Sequence, residues 1–252
     1  MVASFPNVET RHILGVPVHA MTMDEVLELL DSVIAGRQLL QIGVVNAAKV
    51  VNMYRDSKLR EDVLSSDLIL ADGAAVVWAS RILKQPLPER IAGIDLMYEL
   101  FRKGHEKEYR IFCLGATEEV SAEIERRVHR DYPNVKLVGR HHGYFSSDEE
   151  EGIAKKIADA EPDILFVAMT SPKKEHFLAR WSGVINVPIT HGVGGSFDVM
   201  AGKVERAPEI WQKLGLEWLY RVKQEPGRLW KRYFVTNTLF IWMVFKAKLL
   251  GK

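Results

Sequence analysis

The sequence predicts an α/β fold: a mostly parallel, Rossmann-like sheet with helices on both faces. Three observations carry that expectation. Short apolar runs alternate with amphipathic segments of helical length. The runs are continuously apolar rather than alternating, as strands buried on both faces require. Turn residues (Gly, Pro, Ser, Thr) follow several runs, where a parallel sheet leaves its ligand crevice. At 252 residues the chain can bury a substantial core.

Taken in order, Thr22 with Glu25 forms a capping box that starts a helix running to about Ala35. Residues 39–45 form a strand, 47–54 and 57–64 helices, and 67–70 a buried strand. Helices follow over 73–83 and 94–103. From 109 the alternation becomes regular: strand 109–114, helix 117–131, strand 135–138, helix 148–160, strand 164–168, helix 173–180, strand 187–191. Composition shifts near 202–208. The chain therefore divides into an α/β core over residues 1–200 and a helical appendage over 201–252.

The appendage gathers charge. Residues 220–252 hold eight Lys or Arg against one acid, Glu225, interleaved with Trp230, Phe234, Phe240, Trp242 and Phe245. Residues 1–219 carry 26 Lys or Arg against 32 Asp or Glu, about −6. Cations mixed with aromatics suit an anionic surface over an apolar layer, so a membrane surface is the expected partner and nucleic acid is not. The longest apolar run, 239–245, is far short of the ~20 residues a spanning helix needs. Residues 1–10 lack the pattern of a signal peptide. The expected location is cytoplasmic, peripheral on the inner face of the membrane. Cys113, the single cysteine, lies in an apolar run and reads as an inert buried thiol.

Candidate chemistry clusters at strand ends. Asp72, in Ala71-Asp72-Gly73, follows an apolar strand directly, so its carboxylate projects toward the crevice as a candidate general base. An N-cap for the next helix is the plainer role for an Asp there. Within 86–95, two prolines stiffen a loop and Arg90 precedes a helix start, an arrangement suited to clamping an anion. Asp95 is placed either to line that site or to pair with Arg90. Gly115 and Thr117, the turn at Thr170-Ser171-Pro172 with Lys174 and Glu175 beyond it, and Gly194, Gly195 and Asp198 mark three more turns at one sheet edge, suited to a nucleotide.

Neither the dinucleotide fingerprint nor the P-loop pattern is present, and no serine-nucleophile elbow appears. Adjacent His141 and His142 are expected to diverge and not to share a metal. No cofactor or metal is expected, so arginines must neutralise a diphosphate leaving group. Arg221, Arg228 and Arg232 supply cations in the appendage, with Pro226-Gly227 breaking the helix so that only Arg228 and Arg232 share a face.

Taken together, Ala71-Asp72-Gly73, the 86–95 loop, the 192–198 turn, Ala201-Gly202 with Arg206-Ala207-Pro208, and Glu217-Trp218-Leu219-Tyr220-Arg221 continuing to Gln224-Glu225-Pro226-Gly227-Arg228 resemble the WecG/TagA/CpsF glycosyltransferases, family 26. The resemblance covers about residues 16–233. It implies inverting transfer from a UDP-sugar to a polyprenyl-diphosphate-linked sugar in cell-surface polysaccharide synthesis. By the same resemblance Asp72 is the base, Arg90 and Arg206 belong to the substrate site, and Arg221 and Arg228 close over it. Asn46 matches the Asn of the family's Thr-x-Asn, with Val44 where Thr is usual; Lys174 stands where Gln is usual. Both departures bear on which donor sugar fits. Self-association stays open. Two other classes also stay open: a Rossmann-like nucleotide-sugar epimerase or dehydrogenase, and a non-catalytic module binding membrane or nucleic acid.

Overall fold

The computed structural model describes residues 8–250, and all of their side chains except that of Arg228. The readings that fall on residues 1–7, 251 and 252 lie outside the described residues.

A hairpin that the sequence does not announce comes first. β1 (Thr10–Ile13) pairs antiparallel with β2 (Val16–His19) across a two-residue loop. Leu14 and Gly15 there have φ of 51° and 72°, the mirror-image turn whose twist suits a hairpin. Its strands carry Arg11, His12, Pro17 and His19, and the loop lacks an Asn-Gly or Asp-Gly signal, so no strand pattern is legible. His19 Nδ1 accepts the N–H of Ile69 at 2.9 Å and so covers a sheet edge.

Six strands form the main sheet: β3 (Leu40–Val45), β4 (Leu68–Ala71), β5 (Arg110–Gly115), β6 (Lys136–His141), β7 (Ile164–Ala168) and β8 (Ile189–Gly192). Their order is β4-β3-β8-β7-β5-β6, and every pair is parallel. The α/β expectation therefore holds. β6 runs three residues beyond its expected end, through Gly139, Arg140 and His141; as an edge strand it needs no apolar run to persist, and its register shifts beside Ile111 and Phe112.

The helices are α1 (Met23–Ala35), α2 (Ala47–Arg55), α3 (Ser57–Leu64), α4 (Ala74–Ile82), α5 (Gly93–Lys107), α6 (Glu118–Asp131), α7 (Glu150–Asp159), α8 (Lys173–Ile185), α9 (Ser196–Met200), α10 (Glu209–Lys213), α11 (Glu217–Gln224) and α12 (Pro226–Leu249). The Thr22 capping box forms as expected and starts α1. Alternate strand residues serve opposite faces. Ile111, Cys113 and Phe166 pack with Leu30, Leu100 and Ile124 of α1, α5 and α6. Phe112, Leu114 and Val167 pack with Ile157 of α7 and Phe177 of α8. The Cys113 thiol is fully buried, and burial pushes its pKa far above the ordinary range, so it is inert.

The tail is tied to this body. α11 ends at Gln224 and α12 starts with Pro226 in its first turn, so the expected break falls at Glu225. Phe240 and Val244 of α12 are buried in one cluster with Val50 and Met53 of α2 and Val76 of α4. Part of the 201–252 segment thus shares a hydrophobic cluster with the α/β core. The opposite side of α12 exposes Trp230, Phe234, Ile241, Trp242 and Phe245. Among the described residues no helix is long and apolar enough to cross a membrane.

Candidate active site

The strand order places the crevice. α2, after β3, and α9, after β8, lie on opposite faces of the sheet, so the gap between the carboxyl ends of β3 and β8 is open to a ligand. Asn46 follows β3, Asp72 follows neighbouring β4, and the 192–195 turn follows β8.

Asp72 does not cap α4; Gly73 holds that position, without a side-chain cap. Instead Asp72 Oδ1 accepts the N–H of Gly93, the first residue of α5, at 2.8 Å. Asn46 Nδ2 donates to Asp72 Oδ2 at 3.4 Å, while Asn46 Oδ1 accepts the N–H of Lys49 at 3.0 Å and caps α2. A Cβ at residue 73 would stand 2.9 Å from Asn46 Cβ, so only glycine lets the two strand ends approach this closely. The carboxylate is therefore held half-buried at a helix N-terminus, where anions are favoured.

Two groups beneath it escape notice in the sequence. His191 of β8 is fully buried, with Nε2 3.0 Å from the Gly93 carbonyl. A carbonyl only accepts, so Nε2 carries the proton. Burial lowers the ring's pKa to about 4, so it is neutral at pH 7. Gly93 is thus held through its carbonyl by His191 while its N–H holds Asp72. Lys49 of α2 donates to Glu175 Oε1 at 2.7 Å, and Lys174 Nζ lies 3.6 Å from the same oxygen. Burial, then the charge of Lys49, pulls Lys174 down to about 8. Burial alone would raise Glu175, but the two ammoniums override it and hold it at about 2. Lys174 and Glu175 are thus placed in a buried charge cluster, beside a cavity of about 20 Å³ that has room for one water. The fields of Lys174 and Asp72 reach each other.

These shifts set a pH window. His191 is lowered from 6.5 to about 4 and Glu175 from 4.5 to about 2. In both cases the unfolded chain binds protons that the folded chain refuses, so stability is present above the unfolded pKa and falls with pH below it. Chemical denaturation is expected to show a loss of about 3 kcal/mol between pH 7 and 4. His191→Gln should remove most of that slope; an unchanged slope would place the proton uptake elsewhere.

Four charges close a ring at the mouth. Arg90 Nη1 donates to Glu217 Oε2 of α11, and Arg90 Nη2 lies 3.6 Å from Asp95 Oδ2. Arg206 Nη2 approaches Asp95 Oδ1 to 2.6 Å, and its Nε lies 3.6 Å from Glu217 Oε1. Close as they are, neither Arg206 atom is aligned for a hydrogen bond. The ring joins the loop before α5, the segment after α9 and the tail. Arg90 and Asp95 do pair, as one reading of the sequence has it, but within this larger set. Glu217 entered the sequence reading only as part of a motif; its signal was an acid opening a helix in a basic tail.

The remaining residues spread along the same edge. Gly115 ends β5 with φ of 110°, and a Cβ there would meet Ala168 O at 2.3 Å, which excludes any side chain. Thr117 caps α6 through the N–H of Val120. Pro172 precedes α8; Gly194 has φ of 54°, Gly195 precedes α9, and Asp198 lies 3.8 Å from Lys203. β5 is four strand positions from β4, about 19 Å, so Gly115 and Thr117 do not meet Asp72 but stand at the far end of an extended edge. Arg221 lies one turn beyond Glu217 on α11. Arg228 opens α12, and exposed Arg232 lies over Tyr233 at 5.4 Å. His141 and His142 do not diverge as expected: β6 ends between them and their rings stack with centroids 4.5 Å apart. Among the described residues no group of three or more His, Cys, Asp or Glu is placed to hold a metal ion.

Comparison with known proteins bears on this geometry. Residues 11–252 match the model of the glycosyl transferase WecG/TagA/CpsF family. A protein of Bacillus spizizenii W23 named N-acetylglucosaminyldiphosphoundecaprenol N-acetyl-beta-D-mannosaminyltransferase is 42% identical over 173 residues, 68% of this chain and 66% of its own. A protein of the same name from Staphylococcus aureus MW2 is 35% identical over 240 residues, 94% of this chain and 92% of its own.

Proposed function

The chain belongs to the WecG/TagA/CpsF glycosyl transferase family, and we propose that it moves a sugar from a UDP-sugar, with inversion, to a sugar carried on polyprenyl diphosphate at the inner face of the membrane. The observation that carries this reading is the Asp72 carboxylate, held on the Gly93 N–H at the crevice with Arg90 on the adjoining loop. The names of the relatives favour N-acetylglucosaminyl-diphosphoundecaprenol as acceptor and N-acetylmannosamine as the first donor sugar to try. Val44 and Lys174 make glucose, a glucuronate or the mannosamine uronate further donors to try.

In this reading Asp72 takes the proton from the acceptor hydroxyl as its oxygen attacks the anomeric carbon. The bond to the β-phosphate breaks on the opposite side, which inverts the centre and releases UDP. Arg90 and Arg206, once Glu217 and Asp95 yield them, take up the charge growing on the diphosphate, with Arg221 and Arg228 of the tail closing over it. Cationic side chains would do here what a bound divalent ion does elsewhere. Residues 1–200 would carry the chemistry and 201–252 would complete and anchor it.

The test is incubation with N-acetylglucosaminyl-diphosphoundecaprenol and a panel of UDP-sugars, read by mass spectrometry of the lipid. One added hexose unit with stoichiometric UDP is expected. Absence of product with every donor, or nicotinamide-dependent turnover of a UDP-sugar, would overturn the reading.

A further inference from the structure

An open cleft of about 680 Å³ lies between α4, the loop before α5 and α10. Its floor is apolar, built from Ala74, Val77, Trp78 and Pro88, and the cations Arg81, Arg90 and Lys213 stand around it. Two acids also line it. The Glu89 carboxylate is turned away to accept the backbone N–H of Met23 at the start of α1, and Glu209 lies 3.2 Å from Lys213.

Both ends of the cleft lead somewhere. Ala74 begins α4 directly after Asp72-Gly73, and Ile91, beside Arg90, donates its N–H to Ala71 at 2.9 Å. The inner end therefore opens beside the candidate base. At the outer end Trp78, 44% exposed, meets Phe245 of α12 edge-on, with ring centroids 6.4 Å apart. Phe245 belongs to the exposed apolar stripe of α12, so the floor continues onto that stripe.

We propose that this cleft is the acceptor subsite: Arg81 and Lys213 hold the acceptor's diphosphate, and its first isoprene units lie on Trp78 and Val77. The inference rests on the glycosyltransferase reading above. The match is one of chemistry. A lipid-linked diphosphate joins a dense anion directly to an apolar chain, and the cleft joins cations directly to an apolar floor. A nucleotide-sugar donor has no use for that floor. Entry along it brings the sugar beyond the diphosphate to the Asp72 end.

The test uses the full-length protein without vesicles and two water-soluble acceptors, N-acetylglucosaminyl diphosphate carrying a farnesyl chain or a methyl group. Arg81→Gln should raise KM for both about tenfold, with kcat and donor KM unchanged. Trp78→Ala should raise KM about tenfold for the farnesyl acceptor alone. Wild-type KM values in both variants, or a shift in donor KM instead, would overturn the assignment. Should Trp78→Ala disturb α12 and fail to fold, Arg81→Gln decides alone. Wild-type protein that transfers to neither acceptor nor to the undecaprenyl lipid rejects the function itself; wild-type transfer with unaffected variants rejects only the cleft.

Discussion

Asp72→Asn is expected to cut transfer by about 10³–10⁴-fold while UDP binding changes little. The amide keeps the size of the carboxylate, and its oxygen can still accept the Gly93 N–H, so the start of α5 survives. It cannot accept the acceptor's proton. The other nearby acids are poor substitutes. Glu175 is buried beneath two ammoniums and held at about 2, and Asp95 and Glu217 are each shared between Arg90 and Arg206. Asp72 alone of the four is held by a backbone N–H and an Asn side chain. Single-turnover assays with calorimetric titration of UDP separate the two effects. Turnover within tenfold of wild type would move the base to another residue; loss of UDP binding would make Asp72 a donor ligand.

Much of this arrangement is legible in the sequence, and the gaps have physical causes. The six strands declare themselves because a parallel sheet covered on both faces needs continuous apolar runs. The hairpin does not, because its four-residue strands face solvent on one side and carry charged residues and proline. Asp72 and Arg90 stand at element boundaries, where a single residue next to an apolar run is visible by position. His191, Lys49 and Glu217 are not visible that way. His191 ends an apolar strand like any core residue, and its role depends on Gly93, 98 residues away. Glu217 reaches Arg90 across 127 residues, and only the folded chain creates that pairing. The tail shows the same limit: its basic, aromatic composition is plain, but the burial of Phe240 beside α2 and α4 is not, since Phe240 resembles Phe234 in every local respect.

That difference between neighbouring rings decides how the tail is to be tested. Trp230→Ser with Phe234→Ser and Trp242→Ser is expected to leave folding intact and to weaken binding to anionic vesicles about 10²–10³-fold. The three rings are 56%, 67% and 57% exposed, so the folded state loses little packing. They lie on one side of a helix about 36 Å long, flanked by exposed Lys231, Lys246 and Lys248, whose attraction to anionic lipid should fade with salt. Deleting the tail would be a poorer experiment, because Phe240 and Val244 leave with it and the cluster around Met53 is opened; Phe240→Ala alone should cost about 3–5 kcal/mol. Vesicle co-sedimentation at low and high salt checks the binding, and transfer to the methyl acceptor checks the chemistry. Undiminished sedimentation of the triple variant would end the anchoring role. If binding falls while the methyl acceptor still reacts at the full rate, the lipid-facing side of α12 serves only to anchor, and any contribution of the tail to the chemistry must come from α11, where Glu217 meets Arg90.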